Sequence, residues 1–178
     1  KDPFDVYFDL IVQSHNGITA LFDYITEEDI QALLVHPLMM VSSDCATWST
    51  DGPLSDPPPY IPCAYGEYPG ILARYVRDEG LLSLQEAVRK MTSFPAQKMG
   101  LYDRGLLRPG MRADITLLDL PRLKDRATNR WPHKHPFENW PHKYPEGIPY
   151  VVVNGKLAVS KGEQTKVRAG EVIRHAPG

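Results

Sequence analysis

Apolar side chains recur at Val6, Phe8, Leu10, Ile11 and Val12. That spacing predicts a helix over residues 5–13, closed by the turn-forming His15-Asn16-Gly17. Residues 18–25 are β-branched and aromatic and predict a short buried strand. Thr26 is an N-cap followed by Glu27-Glu28-Asp29, acidic residues placed where a helix dipole favours them. The helix opened there runs to His36, and Pro37 stops it. The continuous apolar run at 38–41 is too short for a helix and predicts a second buried strand, ending at Ser42-Ser43-Asp44. Strand, helix and strand in this spacing form a parallel crossover unit.

Further along, Ile71, Leu72, Tyr75 and Val76 predict a helix over 68–79, with Gly80 as its C′ residue. Ser83 and Glu86 form a capping box for a helix through Met91. Phe94-Pro95 interrupts it, and Gly100 ends a further short helical turn. From Gly105 the pattern changes to glycine punctuation and β-branched runs at 115–120, 150–153 and 156–159, with Asn154-Gly155 as a type I′ hairpin turn. A boundary near 101–104 is therefore expected between an α/β part, residues 1–104, and a β part, residues 105–178.

The composition of this 178-residue chain, 42% hydrophobic and 24% charged, is that of a globular protein rather than a repeat array or a disordered chain. A formal charge of −2 with no dense Lys/Arg block excludes long-range attraction to nucleic acid or anionic lipid. No apolar stretch reaches the roughly 18 residues of a membrane span, and Lys1-Asp2-Pro3-Phe4-Asp5 is too acidic for a signal peptide, so a cytoplasmic setting is expected. Cys45 and Cys63 cannot build a disulfide framework and read as free thiols. Of the 17 prolines, six lie between Pro53 and Pro69 and six between Pro121 and Pro149, which predicts two long loops.

Asp44 is the leading catalytic candidate, because a carboxylate at the C-terminal end of a buried parallel strand sits where α/β enzymes place their chemistry. The alternative is that it caps its own loop through Ser42, Ser43 or Thr47. His133-Lys134-His135 has metal-ligand spacing, yet it belongs to a near repeat, Trp131-Pro132-His133-Lys134 and Trp140-Pro141-His142-Lys143. That context reads as aromatic and proline packing rather than a zinc set. His15 and His36 border helix ends and read as caps, and Cys63 reads as a small hydrophobe beneath its loop.

Ser42-Ser43-Asp44, Ala87-Val88-Arg89-Lys90-Met91-Thr92-Ser93, Asp103-Arg104-Gly105, Ala113-Asp114 and Val153-Asn154-Gly155 follow one another in a specific order. In that order the chain resembles the C-terminal third of amidohydrolase-superfamily enzymes. Asp125-Arg126-Ala127-Thr128 and Tyr144-Pro145-Glu146-Gly147-Ile148 bring the resemblance, over about 25–172, to the N-acyl-D-amino-acid deacylase (D-aminoacylase) branch.

The resemblance implies an α/β fold: the last strands and helices of a metal-dependent (β/α)8 barrel in 1–104, and a β-sandwich segment with a proline-rich insertion in 105–178. It implies zinc held by histidines and a cysteine or other bridging ligand upstream of Lys1. Asp44 would be the catalytic proton carrier, and also a candidate metal ligand, acting on the water that attacks an amide. The stretch 60–69 resembles a His-Pro-Arg-x-Tyr-Gly-Thr-Phe-Pro pattern whose arginine is suited to a substrate carboxylate. Cys63 occupies that substrate-binding position, where a thiol cannot form the bidentate pair.

The implied partner is a small-molecule amide, with neither nucleic acid nor membrane. Two parallel strands cannot close a barrel, so a complementary upstream polypeptide or self-association is expected as well. A dihydroorotase- or hydantoinase-like cyclic amidohydrolase is one alternative. The other is a catalytically silent module using the β part and the Trp-Pro-His-Lys loop as an interaction surface.

Overall fold

The computed structural model of the chain describes residues 1–17, 24–45, 63–127 and 144–174. It falls into two compact units, Lys1–Ile30 and Gln31–Gly178. In the first, helix α1 (Pro3–Gln13) starts where the Asp2 side chain accepts from the Phe4 N–H at 2.8 Å. It ends in a left-handed turn at His15 and Asn16. None of its residues is buried, and Phe4, Tyr7, Phe8 and Val12 all stand exposed.

Helix α2 (Glu27–Val35) has a reciprocal N-terminal cap: Thr26 Oγ1 accepts from the Asp29 N–H at 3.2 Å, while the Thr26 N–H donates to Asp29 Oδ2 at 3.0 Å. The strand expected at 18–25 lies mostly outside the described residues; Tyr24 and Ile25, which are described, are irregular and exposed.

Residues 38–41 do not form the expected strand. They follow a turn at Pro37-Leu38, and Leu38 is 73% exposed. The physical reason is that no neighbouring strand among the described residues offers them a ladder, so the Leu38 and Met39 N–H groups turn back to His36 and the Val41 N–H turns to a helix. The Val41 N–H donates to the Lys90 carbonyl at 3.2 Å, and Val41 is buried. The parallel crossover unit is accordingly absent among the described residues.

The first proline-rich segment is not a loop throughout. Helix α3 (Cys63–Ile71) begins inside it, earlier than the residue 68 expected, and carries Pro69 in its interior. Beyond α3 the chain widens into a π-helix over Leu72–Asp78, with the Glu79 N–H donating to the Arg74 carbonyl at 2.8 Å, and Gly80 takes the positive φ that ends it. Helix α4 (Leu84–Met91) opens on the expected cap, the Glu86 N–H donating to Ser83 Oγ at 3.2 Å. The break before α5 (Ser93–Lys98) falls at Thr92, just ahead of Phe94-Pro95.

Leu34, Ile71, Leu72, Tyr75, Ala87 and Ala96 make the helical core, and each large aliphatic side chain among them contributes roughly 1.5–3 kcal/mol by burial. A four-stranded antiparallel sheet follows, β1 (Ile115–Leu117), β2 (Tyr150–Val153), β3 (Lys156–Ser160) and β4 (Glu163–Gln164), in the order β1-β2-β3-β4. The Asn154-Gly155 turn has φ of 48° and 74°, as a type I′ hairpin demands. Asp114 Oδ1 accepts from the Asn154 N–H at 2.7 Å and so pins the turn to the start of β1. Both the helical core and the sheet lie within the second unit.

Candidate functional site

The segment leading to Asp44 is held by the C-terminal end of α4. The Lys90 side chain is fully buried, and its ammonium donates to the carbonyls of His36 and Met39, the latter at 3.2 Å. Its nearest carboxylate is Glu86 Oε1, at 3.7 Å. The neighbouring Arg89 donates from Nη2 to the Pro37 carbonyl at 3.3 Å, and its guanidinium lies 4.4 Å from the centroid of the Phe94 ring. Glu86 takes both of Arg89's inner donors at 2.8 Å, and these bonds hold the Glu86 carboxyl below its ordinary range.

Asp44 emerges from this anchored run three residues after buried Val41. It is exposed and adopts φ of 50°, in the left-handed region. Cys45 beside it is a free, half-buried thiol. His36 behaves as a local cap, its Nδ1 accepting from the Leu38 N–H at 3.3 Å. Cys63 opens α3, and the surroundings of its side chain lie outside the described residues, as do His133, His135, His142 and both Trp-Pro-His-Lys repeats. Among the described residues, no group of three or more His, Cys, Asp and Glu side chains is placed to hold a metal ion. By themselves these residues do not fit a zinc site.

A second group of titratable side chains gathers where α3 meets the loop after Leu123. Asp125 packs so tightly against α3 that a Cβ on Gly66 would lie 2.0 Å from Asp125 Oδ1. That oxygen accepts from the Ala127 N–H at 2.8 Å. Burial pushes the Asp125 carboxyl up; burial, and then the nearby Asp125 charge, push Glu67 up. The Tyr144 phenol is likewise raised by burial, and its ring meets Tyr65 edge-on at 6.2 Å.

Gly147 is wedged against the main chain of fully buried Leu123, whose carbonyl accepts from Arg77. An open cavity of about 660 Å3 adjoins this region, lined in part by Arg122, Arg126, Tyr144, Lys161 and Glu163, and Asp44 does not line it. Neither Lys90's anchoring role nor the Asp125 clamp was foreseen from sequence. Lys90 carries no sequence signal, since it follows Arg89 and stands four residues after Glu86 as a solvent-facing lysine would; for Asp125 the signal is Gly66 and Gly70 four residues apart, leaving one helix face bare.

The amidohydrolase family pattern matches residues 19–159. An N-acyl-D-aspartate deacylase of Alcaligenes xylosoxydans xylosoxydans is 36% identical over 160 residues, which are 89% of this chain and 28% of that protein. The crystal structure of a D-aminoacylase superposes with a TM-score of 0.68 at 34% identity, covering 85% of this chain and 28% of its own. An N-acyl-D-glutamate deacylase from Bordetella bronchiseptica, crystallised with zinc and a phosphonate mimic of the tetrahedral intermediate, gives a TM-score of 0.60 at 32% identity over 82% of this chain and 28% of its own. The chain thus spans 28% of the length of each of these relatives.

Proposed function

The chain belongs to the amidohydrolase family, and from that premise we propose that it carries part of the active centre of a zinc-dependent hydrolase cleaving the amide bond of N-acyl-D-amino acids. The observation that supports this reading is Asp44: a carboxylate in a left-handed backbone conformation, at the end of an anchored segment, in a Ser42-Ser43-Asp44 stretch that resembles the aspartate motif of the deacylases. Non-glycine residues held at positive φ concentrate at functional sites, where the surroundings over-determine them.

In this reading Asp44 takes a proton from the water that attacks the amide carbonyl and passes it to the departing amine. Zinc, present in the deacylase relative, would be held by residues other than those described. The division at 104/105 into a barrel part and a sandwich part belongs to the same proposal. So does the expectation of a complementary upstream polypeptide or self-association, which the exposed Phe4, Tyr7, Phe8 and Val12 of α1 support. At Cys63 a substrate carboxylate would meet no arginine.

The test is hydrolysis of N-acetyl-D-amino acids by the full-length, zinc-loaded protein and by its Asp44→Asn variant. Turnover is expected to fall by roughly two to four powers of ten, the range for removing a general acid–base, with metal content and melting temperature nearly unchanged. Equal turnover in the two proteins would reject the role of Asp44.

A further inference from the structure

We propose that Lys90 is a positioning residue for the reaction, its buried ammonium fixing the 36–41 main chain that presents Asp44. The inference rests on the catalytic reading of Asp44 and extends it to a residue on another element. A lysine is seldom fully buried, because removing its charge from water costs several kcal/mol unless the ammonium is well paired. Here Nζ meets two main-chain carbonyls, those of His36 and Met39, and a half-exposed Glu86 carboxylate at 3.7 Å.

A leucine or methionine would fill the same volume on α4 more cheaply, so core packing alone does not account for a lysine. What an apolar residue cannot supply is donors to the main-chain carbonyls of His36 and Met39. Lys90 holds that stretch from both ends of its own structure: side chain to residues 36 and 39, and backbone carbonyl to the Val41 N–H at 3.2 Å. Only Ser42 and Ser43 separate Val41 from Asp44, so displacement of the anchored run carries the carboxylate with it. Misplacing a reacting group by about 1 Å can cost on the order of a hundredfold in rate.

The experiment compares wild-type full-length protein with Lys90→Met, Lys90→Gln and Asp44→Asn, measuring kcat and KM on an N-acetyl-D-amino acid and peptide-level hydrogen exchange. For Lys90→Met we expect kcat to fall by about tenfold to a hundredfold with KM changed by less than about threefold. Exchange should rise over 36–44 and stay unchanged in the β2–β3 hairpin. Lys90→Gln keeps an uncharged amide N–H donor group and should show a smaller shift in the same direction, which preserves the test if Lys90→Met does not fold.

Wild-type kcat with wild-type exchange over 36–44 in Lys90→Gln would overturn the proposal. So would an exchange increase spread evenly over the helical core, with activity falling only in proportion to the folded fraction. Full turnover in Asp44→Asn would reject the catalytic reading of Asp44 instead, while the exchange data still report whether Lys90 holds the segment.

Discussion

A left-handed backbone costs most side-chain-bearing residues about 1–2 kcal/mol, and Asp and Asn tolerate it best because their short polar groups bond locally. Asp44→Asn therefore removes charge while keeping the φ of 50°, whereas Asp44→Ala would mix lost chemistry with backbone strain. Cys63 supports a different prediction, about specificity. An arginine clamp on a substrate carboxylate is worth about 1.5–3 kcal/mol, and a thiol cannot replace it. If the deacylase reading holds, the full-length protein should hydrolyse an N-acyl-D-amino acid and its carboxamide with similar kcat/KM, and Cys63→Arg should favour the free acid by about tenfold or more. A preference above about a hundredfold for the free acid in the unmodified protein would mean that another cation binds the carboxylate. At this scale the sequence was informative wherever a residue's role is local: Thr26, Ser83 and the Asn154-Gly155 pair do what their types and spacing require. Lys90 was opaque because its partners are main-chain carbonyls more than fifty positions away, which leave no trace in residue identity.

Helices with caps and the hairpin with its turn were readable because their signals lie within four residues of one another. The run at 38–41 predicts a strand that the described residues do not form, because four consecutive apolar residues say that a segment is buried, not which partner satisfies its backbone. Long-range docking also explains the motifs that singled out the deacylase branch. Asp125 and Gly147, singled out for family likeness, work as a clamp: Asp125 presses on Gly66 and Gly70 of α3, and Gly147 on Leu123. The stretch around Tyr65-Gly66 therefore has a packing role, whatever its part in binding substrate. Gly66→Ala puts a methyl 2.0 Å from Asp125 Oδ1, so the loop must shift and the bond from Ala127 is strained or lost. Overpacking of this kind costs about 1–3 kcal/mol. A urea unfolding curve should show a lower midpoint at unchanged slope, and an unchanged midpoint would mean the clamp gives way without cost.

Across the whole molecule, burial and ion pairing act on the carboxylates in opposite directions. Asp29, Asp78, Glu86 and Asp103 are held below their ordinary range, Asp29 by its bonds to Thr26 and the others by bonds to neighbouring arginines. Such groups add stability above their unfolded pKa that is lost as pH falls through the folded one. Glu67 and Asp125 do the reverse. Their folded-state pKa is raised, so the folded protein binds protons more tightly than the unfolded chain. The stability they contribute is present below the ordinary carboxylate range and is lost as pH rises through the raised value. Glu67→Gln should then leave stability close to wild type near about pH 4 and raise it above wild type by about pH 7, where the native Glu67 must ionise beside Asp125 in a partly desolvated site. Urea midpoints for the two proteins at the two pH values decide the matter. An equal difference at both would assign the effect to packing, and a wild-type advantage at the higher pH would mean that the Glu67 carboxylate has a cationic partner strong enough to outweigh its burial.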